Sequence, residues 1–160
     1  RRRQRQMCIR DSCGIENEFG LKAPFYEMED GSVISIFKYK EIHQSYPERV
    51  HGGLITAMLD EIAGRAIWVT EPETWAVTTE LNVKFRKVVP YDVTLKAVGK
   101  IIKNTHRAFV GEAKVLDMDG NTLAEAIVTY LKLPLSKIAT STNAHEDVNI
   151  YLPDDVTEID

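Results

Sequence analysis

The sequence predicts an α+β fold in which one antiparallel β-sheet packs against a single long helix. Four long β-rich segments follow one another between residues 75 and 132 and are joined by short turns. Before them, residues 52–69 carry apolar side chains at helical spacing. A lone amphipathic helix must bury its apolar side, and the sheet is the partner that the pattern supplies.

Length and composition indicate one globular domain. The chain has 160 residues, of which 44% are hydrophobic and 28% charged, and its formal net charge is −4. That charge gives no general support to nucleic-acid binding. No apolar run approaches the roughly 18 residues of a membrane span, so we expect no membrane partner. Two cysteines, Cys8 and Cys13, do not make a disulfide framework, and a reducing cytoplasm is the expected location.

The chain is expected to divide into three parts. Residues 1–12 contain five arginines and resemble a peptide produced when sequencing-adapter DNA is translated, so we expect them not to be native. A basic arm that binds nucleic acid is the alternative. Residues 13–137 form the predicted domain. Residues 138–160 contain no Lys or Arg and predict an acidic surface extension, partly disordered.

Local patterns define the elements of the domain in chain order. Residues 32–40 predict a strand with one face formed by Val33, Ser35, Phe37 and Tyr39. Pro47 interrupts the loop that follows. The helix at 52–69 would be about 27 Å long. Asp119 and Gly120 are a strong hairpin signal. The four later strands are predicted at 75–86, 91–103, 106–117 and 122–132.

Advancing the helix by about 100° per residue separates two faces. The core face is formed by Ile55, Met58, Leu59, Ile62, Ala66 and Val69. The opposite face carries small residues and one acid, namely Gly53, Ala57, Asp60 and Gly64. Asp60 has no cation three or four residues away, so its small neighbours leave room for a ligand or for another backbone. Glu61 lies four residues before Arg65, which favours an ordinary helix ion pair.

The predicted helix begins at a histidine and two glycines. The first N–H groups of a helix lack internal partners, and the helix dipole favours negative charge there. Glycine lets a substrate approach the main chain closely. Gly52 and Gly53 are therefore candidate oxyanion donors, and Asp60, about two turns along the same helix, is a candidate base. His51 could orient a carbonyl group or cap the helix; the spacing favours neither.

Residues 51–61, HGGLITAMLDE, resemble the HGGxxxxxxDE signature of hotdog-fold acyl-CoA thioesterases, in the branch that includes the phenylacetic-acid-pathway enzymes. Further segments resemble that branch in the same order: Cys13-Gly14 followed by ENEFGLK, then HQSYPERVHGG, VTTELNVKFRKVVP and DMDGNTLAEAIVTY. The resemblance implies the hotdog fold, a long central helix wrapped by an antiparallel sheet of about five or six strands. It also implies a homodimer, or a homotetramer that is a dimer of dimers, with sites at the dimer interface.

The resemblance implies roles for individual residues. The acid nine residues after the histidine, here Asp60, acts as general base or nucleophile, and Glu61 is the second candidate. The glycine after the histidine, here Gly52, polarises the thioester carbonyl through its N–H. Gln44 in the approach loop helps to hold that carbonyl. Thr78, often supplied by the partner chain in this family, lies near the attacking water.

Other residues are candidates for substrate binding. Thr79 is the second choice for the threonine beside the water. The phosphates of coenzyme A need cations, which Lys84, Arg86, Lys87, Lys103 and Arg107 could supply. The chain departs from the branch in the approach loop, where Ser45 replaces a frequent Gly and Glu48-Arg49 replaces Gly-Val.

The expected activity is hydrolysis of an acyl-CoA thioester to the free acid and coenzyme A. No cofactor is expected beyond the coenzyme A of the substrate, and no metal, because the four histidines lack metal-ligand spacing. Two alternatives stay open. One is an acyl-thioester dehydratase, which would need a His and a carboxylate aimed at the acyl chain. The other is a non-catalytic module that binds or senses acyl-CoA.

Overall fold

The computed structural model describes residues 3–6, 17–139 and 150–151, and its strands form one sheet. The strands are β1 (Arg3–Gln6), β2 (Tyr26–Glu27), β3 (Val33–Phe37), β4 (Ala76–Phe85), β5 (Leu95–Asn104), β6 (Ala108–Leu116), β7 (Thr122–Lys132) and β8 (Ile150–Tyr151). Their order in the sheet is β4-β7-β6-β5-β3-β2-β1-β8, and all neighbours are antiparallel. The predicted antiparallel sheet is confirmed.

The long helix α1 spans Gly52–Arg65 and continues as a 3-10 turn over Ala66–Val69. A short helix, α2, covers Leu135–Ile138. The sequence placed one regular helix over 52–69. The last turn is tighter than predicted, as helix C-termini often are, and Ala66 and Ile67 within it are buried. The hotdog arrangement of one long helix against an antiparallel sheet is confirmed.

Two strand predictions need correction. The sequence did not indicate β2, which has two residues and therefore no readable alternation. The strand predicted from residue 91 begins at Leu95. Asp92 adopts a left-handed conformation with φ of 58°, and its N–H donates to the main-chain oxygen of Tyr39. A turn held in this way cannot extend the sheet ladder.

The predicted core face of the helix is buried against the sheet. Ile55, Met58, Leu59, Ile62 and Ala66 are each at most 4% exposed, whereas Val69 is half-buried. The β3 face that carries Val33, Ser35 and Phe37 is buried as well. The helix lies unusually close to two strands. A Cβ at Gly99 would overlap the main-chain carbonyl of Ile62, and one at Gly111 would lie 3.0 Å from the carbonyl oxygen of Ala63.

The first and last of the three predicted parts of the chain lie largely outside the described residues. Cys8, Cys13 and most of 1–12 lie outside them, although the main chain of β1 pairs with β2 and with β8. Most of 138–160 also lies outside them. The boundaries after residues 12 and 137 therefore stay predictions.

Glu71 connects the end of the helical segment to the sheet. Its carboxylate accepts hydrogen bonds from Thr74 Oγ1 at 2.7 Å, Asn104 Nδ2 at 2.6 Å and Lys132 Nζ at 2.7 Å. These donors, the Lys132 ammonium first, lower the pKa of the Glu71 carboxyl from 4.5 to about 2. The Glu71 side chain is 37% exposed, so solvent screens part of the interaction.

Stability should therefore depend on Glu71 in acid. Because folding lowers this pKa, the stabilising contribution is complete above about pH 4.5 and is lost as the pH falls to about 2. The difference in free energy of unfolding between wild type and Glu71→Gln, measured with urea, should shrink over that range. Glu73→Gln, at an exposed position nearby, is the matched control. A wild-type–variant difference that does not change with pH would contradict this role.

Candidate active site

Asp60, Thr78 and Tyr130 form a hydrogen-bonded cluster between α1 and the sheet. Thr78 and Tyr130 are directly paired on neighbouring strands β4 and β7, so both hydroxyls face the helix. Thr78 Oγ1 donates to Asp60 Oδ1 at 2.9 Å and lies 3.2 Å from Oδ2. Tyr130 Oη lies 2.6 Å from the main-chain oxygen of Asp60 and 3.0 Å from Oδ1. The predicted acid and the predicted threonine therefore meet, within one chain.

Tyr130 is a member of the cluster that the sequence analysis missed. It is 4% exposed and stacks on Phe109, with ring centroids 4.7 Å apart. Burial, and then the negative charge of Asp60, raise the pKa of the Tyr130 hydroxyl far above its usual value. A signal was available, because Tyr130 falls on the buried face of β7, and a buried tyrosine hydroxyl needs a polar partner. The sequence did not show that this partner is Asp60.

A cavity of about 260 Å³ opens beside this cluster. Asp60, Glu61 and Thr78 line one part of it. Trp68 and Trp75, whose rings meet edge to face at 6.1 Å, line another, together with Phe109. The carboxylate of Asp60 thus faces a space walled mainly by large apolar side chains.

The start of α1 differs in part from its predicted role. His51 is the N-cap, and its Nδ1 accepts the N–H of Gly53 at 2.9 Å. The Gly53 N–H therefore has a partner within the chain, contrary to the prediction that it is a free oxyanion donor. The Gly52 N–H has no acceptor among the described residues. Gly52 is the better candidate donor, and His51 has the capping geometry that was one of its two predicted roles.

Gly52 and Asp60 of one chain are too far apart to act on one carbonyl group. Eight residues separate them, which is about 12 Å along a helix that rises 1.5 Å per residue. An oxyanion donor and a base must both lie within a few ångströms of the reacting carbon. Within one chain the two groups therefore serve different places, and the shared site implied by the resemblance stays a prediction.

The approach loop folds back on the start of the helix. His51 N–H donates to the main-chain oxygen of His43, and Gln44 forms an isolated bridge with Val50. The Gln44 side chain is exposed and makes no hydrogen bond to the described residues. Its predicted contact with the substrate carbonyl stays a prediction. Glu48 adopts a φ of 65°, which explains why glycine suits this position.

Thr79, the second candidate threonine, bonds to the main chain of β7 rather than to Asp60. Its Oγ1 donates to the main-chain oxygen of Thr129 at 3.1 Å. The register of β4 against β7 shifts between Thr78 and Glu80, so Thr79 occupies a bulge. Such a bulge redirects neighbouring side chains, and here Thr78 is the one aimed at the helix.

Glu61 and Arg65 form the predicted ion pair, but in an unexpected setting. Arg65 Nε donates to Glu61 Oε1 at 2.7 Å. The Arg65 side chain is 3% exposed and lies over the Phe25 ring, 4.1 Å from its centroid. The sequence indicated an ordinary surface pair, because spacing alone does not show the aromatic ring that covers the cation. Glu61 also lines the cavity beside Asp60.

The predicted coenzyme A cations are dispersed. Arg86 is engaged with Glu125 through Nε at 3.2 Å, and the pairing lowers the pKa of the Glu125 carboxyl. Arg86 and Lys87 line a second cavity of about 400 Å³ that also includes Gly52 and Arg49. Arg107 lies at the opposite end of the sheet. Its main-chain oxygen accepts the Lys132 N–H, whereas Arg86 bonds to Leu123, about 30 Å away along β7.

Neither a metal-binding cluster nor a membrane-spanning helix occurs among the described residues. No three His, Cys, Asp or Glu side chains among residues 3–6, 17–139 and 150–151 are grouped to hold a metal ion. In the same part of the chain, no helix has the length and apolar character needed to cross a membrane. The predicted cytoplasmic location stays a prediction.

Residues 48–124 match the sequence model of the thioesterase superfamily. The match covers 77 of the 160 residues, just under half of the chain. The matched segment runs from the approach loop to β7 and includes Gly52, Asp60 and Thr78. This confirms the family that the sequence predicted. Among curated proteins, none matches this chain.

Solved structures of thioesterase superfamily proteins are similar to it in fold. One, a thioesterase superfamily protein, is 22% identical with a TM-score of 0.68; the match covers 73% of this chain and 60% of that one. A thioesterase from Streptococcus pneumoniae, determined with coenzyme A, is 20% identical (TM-score 0.63, covering 69% and 84%). A phenylacetic acid degradation-related protein from Ralstonia eutropha is also 20% identical (TM-score 0.62, covering 69% and 85%). At these identities the likeness shows the fold alone.

Substitutions at the N-cap of α1 can distinguish the two roles predicted for His51, which are capping the helix and orienting a carbonyl group. His51→Ala should destabilise the fold by about 0.5–2 kcal/mol, because the Gly53 N–H loses its acceptor. His51→Asn, which keeps a capping oxygen, should recover most of that loss in urea unfolding. If His51→Asn restores stability but not hydrolysis of a thioester, His51 does more than cap the helix.

Proposed function

We propose that the protein is an acyl-CoA thioesterase, which hydrolyses a thioester to the free acid and coenzyme A. The observation that carries this proposal is the Asp60 carboxylate, held by the Thr78 and Tyr130 hydroxyls at the edge of a largely apolar cavity. The match to the thioesterase superfamily supports the reaction type. The similar structure that contains coenzyme A supports the thioester class.

In this mechanism the thioester carbonyl oxygen binds the Gly52 N–H at the start of α1. The helix N-terminus stabilises the negative charge that develops on that oxygen. Asp60 activates a water molecule for attack on the carbonyl carbon, or attacks directly. The thiolate of coenzyme A then leaves with little need for protonation, because a thiol has a pKa of about 8.5. No metal or other cofactor is required.

The active unit that we propose is a homodimer with shared sites. A two-fold axis across α1 near Thr56 exchanges positions equally distant on either side, so Gly52 of one subunit faces the partner subunit's Asp60. This removes the separation of about 12 Å between the two groups in one chain. Exposed strand β4 supports such pairing, because it is ten residues long and ends the described sheet. A dimer of dimers remains the higher assembly predicted from the sequence.

The two cavities suggest where each part of the substrate binds. The acyl group occupies the space beside Asp60 of one subunit, and coenzyme A approaches across the cavity at Gly52 of the partner subunit, which Arg49 and Lys87 of that subunit also line. The space beside Asp60 measures about 260 Å³ in one chain and is partly open, so the partner subunit would help to set its final size.

The first test is turnover of an acyl-CoA panel, comprising short, medium, long and aromatic acyl groups, followed by thiol release. Asp60→Asn keeps the size of the side chain and should lower kcat by roughly 10²–10⁴-fold. Binding of the acyl-CoA, measured by calorimetry, should persist. Tight binding without turnover by the wild type would instead favour the sensing module. A larger loss in Glu61→Gln than in Asp60→Asn would move the catalytic role to Glu61.

The second test concerns the Gly52 N–H. Gly52→Pro removes this N–H at the first helical position, where proline is well tolerated. His51, with φ of −63° and ψ of 131°, already has the extended conformation that a following proline requires. Gly52→Pro should lower kcat by roughly 10²–10³-fold. Gly52→Ala is the matched control, because it adds a Cβ near the Phe85 ring but keeps the N–H.

Mixing two inactive variants tests whether each site uses both chains. When Gly52→Pro and Asp60→Asn subunits re-associate, the hybrid dimer has one site with both residues intact and one with neither. About one quarter of wild-type activity should return at equal mixing, since half of the dimers are hybrids. Sites built within one chain would give no recovery, and that result would exclude the shared arrangement.

A further inference from the structure

The two oxygens of the Asp60 carboxylate are not equivalent. Oδ1 lies 2.9 Å from Thr78 Oγ1 and 3.0 Å from Tyr130 Oη. Oδ2 lies 3.2 Å from the same Thr78 oxygen, and Tyr130 makes no bond to it. A threonine hydroxyl has one hydrogen, and the shorter contact is to Oδ1. Oδ1 thus accepts the Thr78 hydrogen and shares the single Tyr130 hydrogen with the main-chain oxygen of Asp60, whereas Oδ2 keeps lone pairs for another molecule.

Tyr130 holds Asp60 at the main chain as well as at the side chain. Its hydroxyl lies 2.6 Å from the main-chain oxygen of Asp60. The same oxygen and Oδ1 therefore share one hydroxyl group, which fixes the carboxylate relative to the helix backbone. The tyrosine ring is itself fixed, because it is buried and stacked on Phe109.

Gly64 leaves the space that this contact needs. A Cβ at Gly64 would lie 3.3 Å from the Tyr130 ring and 3.4 Å from its hydroxyl oxygen. The contact with the ring is slightly tighter than ordinary packing, so a larger residue would shift the Tyr130 ring and its hydroxyl relative to Asp60. The tyrosine thus gives one reason for a small residue four positions after the acid.

We propose that Tyr130 is a positioning residue of the thioesterase site, which holds Oδ1 so that Oδ2 is the oxygen that takes the proton from water. The inference rests on the proposed function. In the step, the oxygen of water bonds to the thioester carbon, and the C=O π pair moves onto the carbonyl oxygen. One O–H bond of water breaks, and its proton passes to Oδ2, while Oδ1 becomes the carbonyl oxygen of the protonated acid and keeps its contacts with Thr78 and Tyr130. The C=O bond then re-forms as the C–S bond breaks, and the electron pair of the C–S bond leaves with the thiolate.

Tyr130→Phe tests this role because it removes the hydroxyl and keeps the stacked ring. We expect kcat to fall roughly 10- to 100-fold, with KM within about twofold of wild type. Tyr39→Phe is the matched control. Tyr39 is fully buried and its hydroxyl also bonds to the α1 main chain, at Leu54. That variant should keep kcat within about twofold.

A merely structural hydroxyl would give a different pattern. In that case Tyr130→Phe would lower the melting temperature and leave the kcat of the folded enzyme at the wild-type value, and the proposal would be overturned. A loss of kcat matched by an equal loss of folded protein, measured by circular dichroism, would overturn it too.

Gly64→Ala alters the contact between Tyr130 and Asp60 from the helix side. It should lower kcat although the hydroxyl is present, because the added methyl group displaces the Tyr130 ring. In the double variant with Tyr130→Phe, the effect of Gly64→Ala on kcat should become much smaller. Additive effects would show that Gly64 acts independently of Tyr130 and would count against the proposal.

A crystal structure of Tyr130→Phe keeps the inference separate from the proposed function. We expect the Asp60 carboxylate to rotate and its contact with Thr78 to lengthen. If wild type hydrolyses no acyl-CoA but the carboxylate rotates in the variant, the proposed function fails and the positioning role of Tyr130 stands. If the carboxylate keeps its place on Thr78, the positioning role is excluded whatever the activity.

Discussion

The close approach of α1 to the sheet is the constraint on which the rest of the structure depends. At Gly99 and Gly111 the strands lack side chains, so the main chain of the helix near Ile62 and Ala63 lies directly on them. This depth of packing lets a hydroxyl on β7 reach the main-chain oxygen of Asp60. With larger residues at either glycine, the helix would be displaced outward, and the contact between Tyr130 and Asp60 would be lost.

The acid on this helix is tolerated because its polar groups are satisfied locally. A half-buried carboxylate without partners would destabilise the fold. Thr78 and Tyr130 supply donors from two paired strands, and the small residues beside Asp60 leave space for both a hydroxyl and a ligand. The same contacts that make the acid acceptable in the fold also fix its orientation. Stability and chemical function are thus linked at this position.

Helix geometry separates the two groups that the proposed thioesterase mechanism uses. The Gly52 N–H, which has no acceptor among the described residues, lies at the first turn of α1, and the Asp60 carboxylate lies about two turns later, so one chain supplies each group to a different place. The exposed edge of β4 gives a physical reason for two chains to associate. In the proposed dimer, pairing at that edge would bring the start of one α1 helix to the middle of the other. Asp60 in mid-helix would then lie close to the partner subunit's Gly52.

The sequence by itself determined the helix, its buried face, the long strands and the acid at residue 60, because these follow from local periodicity and from a distinctive motif. It also indicated Thr78 by resemblance. Only the tertiary structure decided that Tyr130 contacts Asp60, that His51 occupies the Gly53 N–H and that Arg107 lies far from Arg86. Strand register and the depth of the helix set these distances. Both result from packing between residues remote in the chain, which spacing along the sequence does not encode.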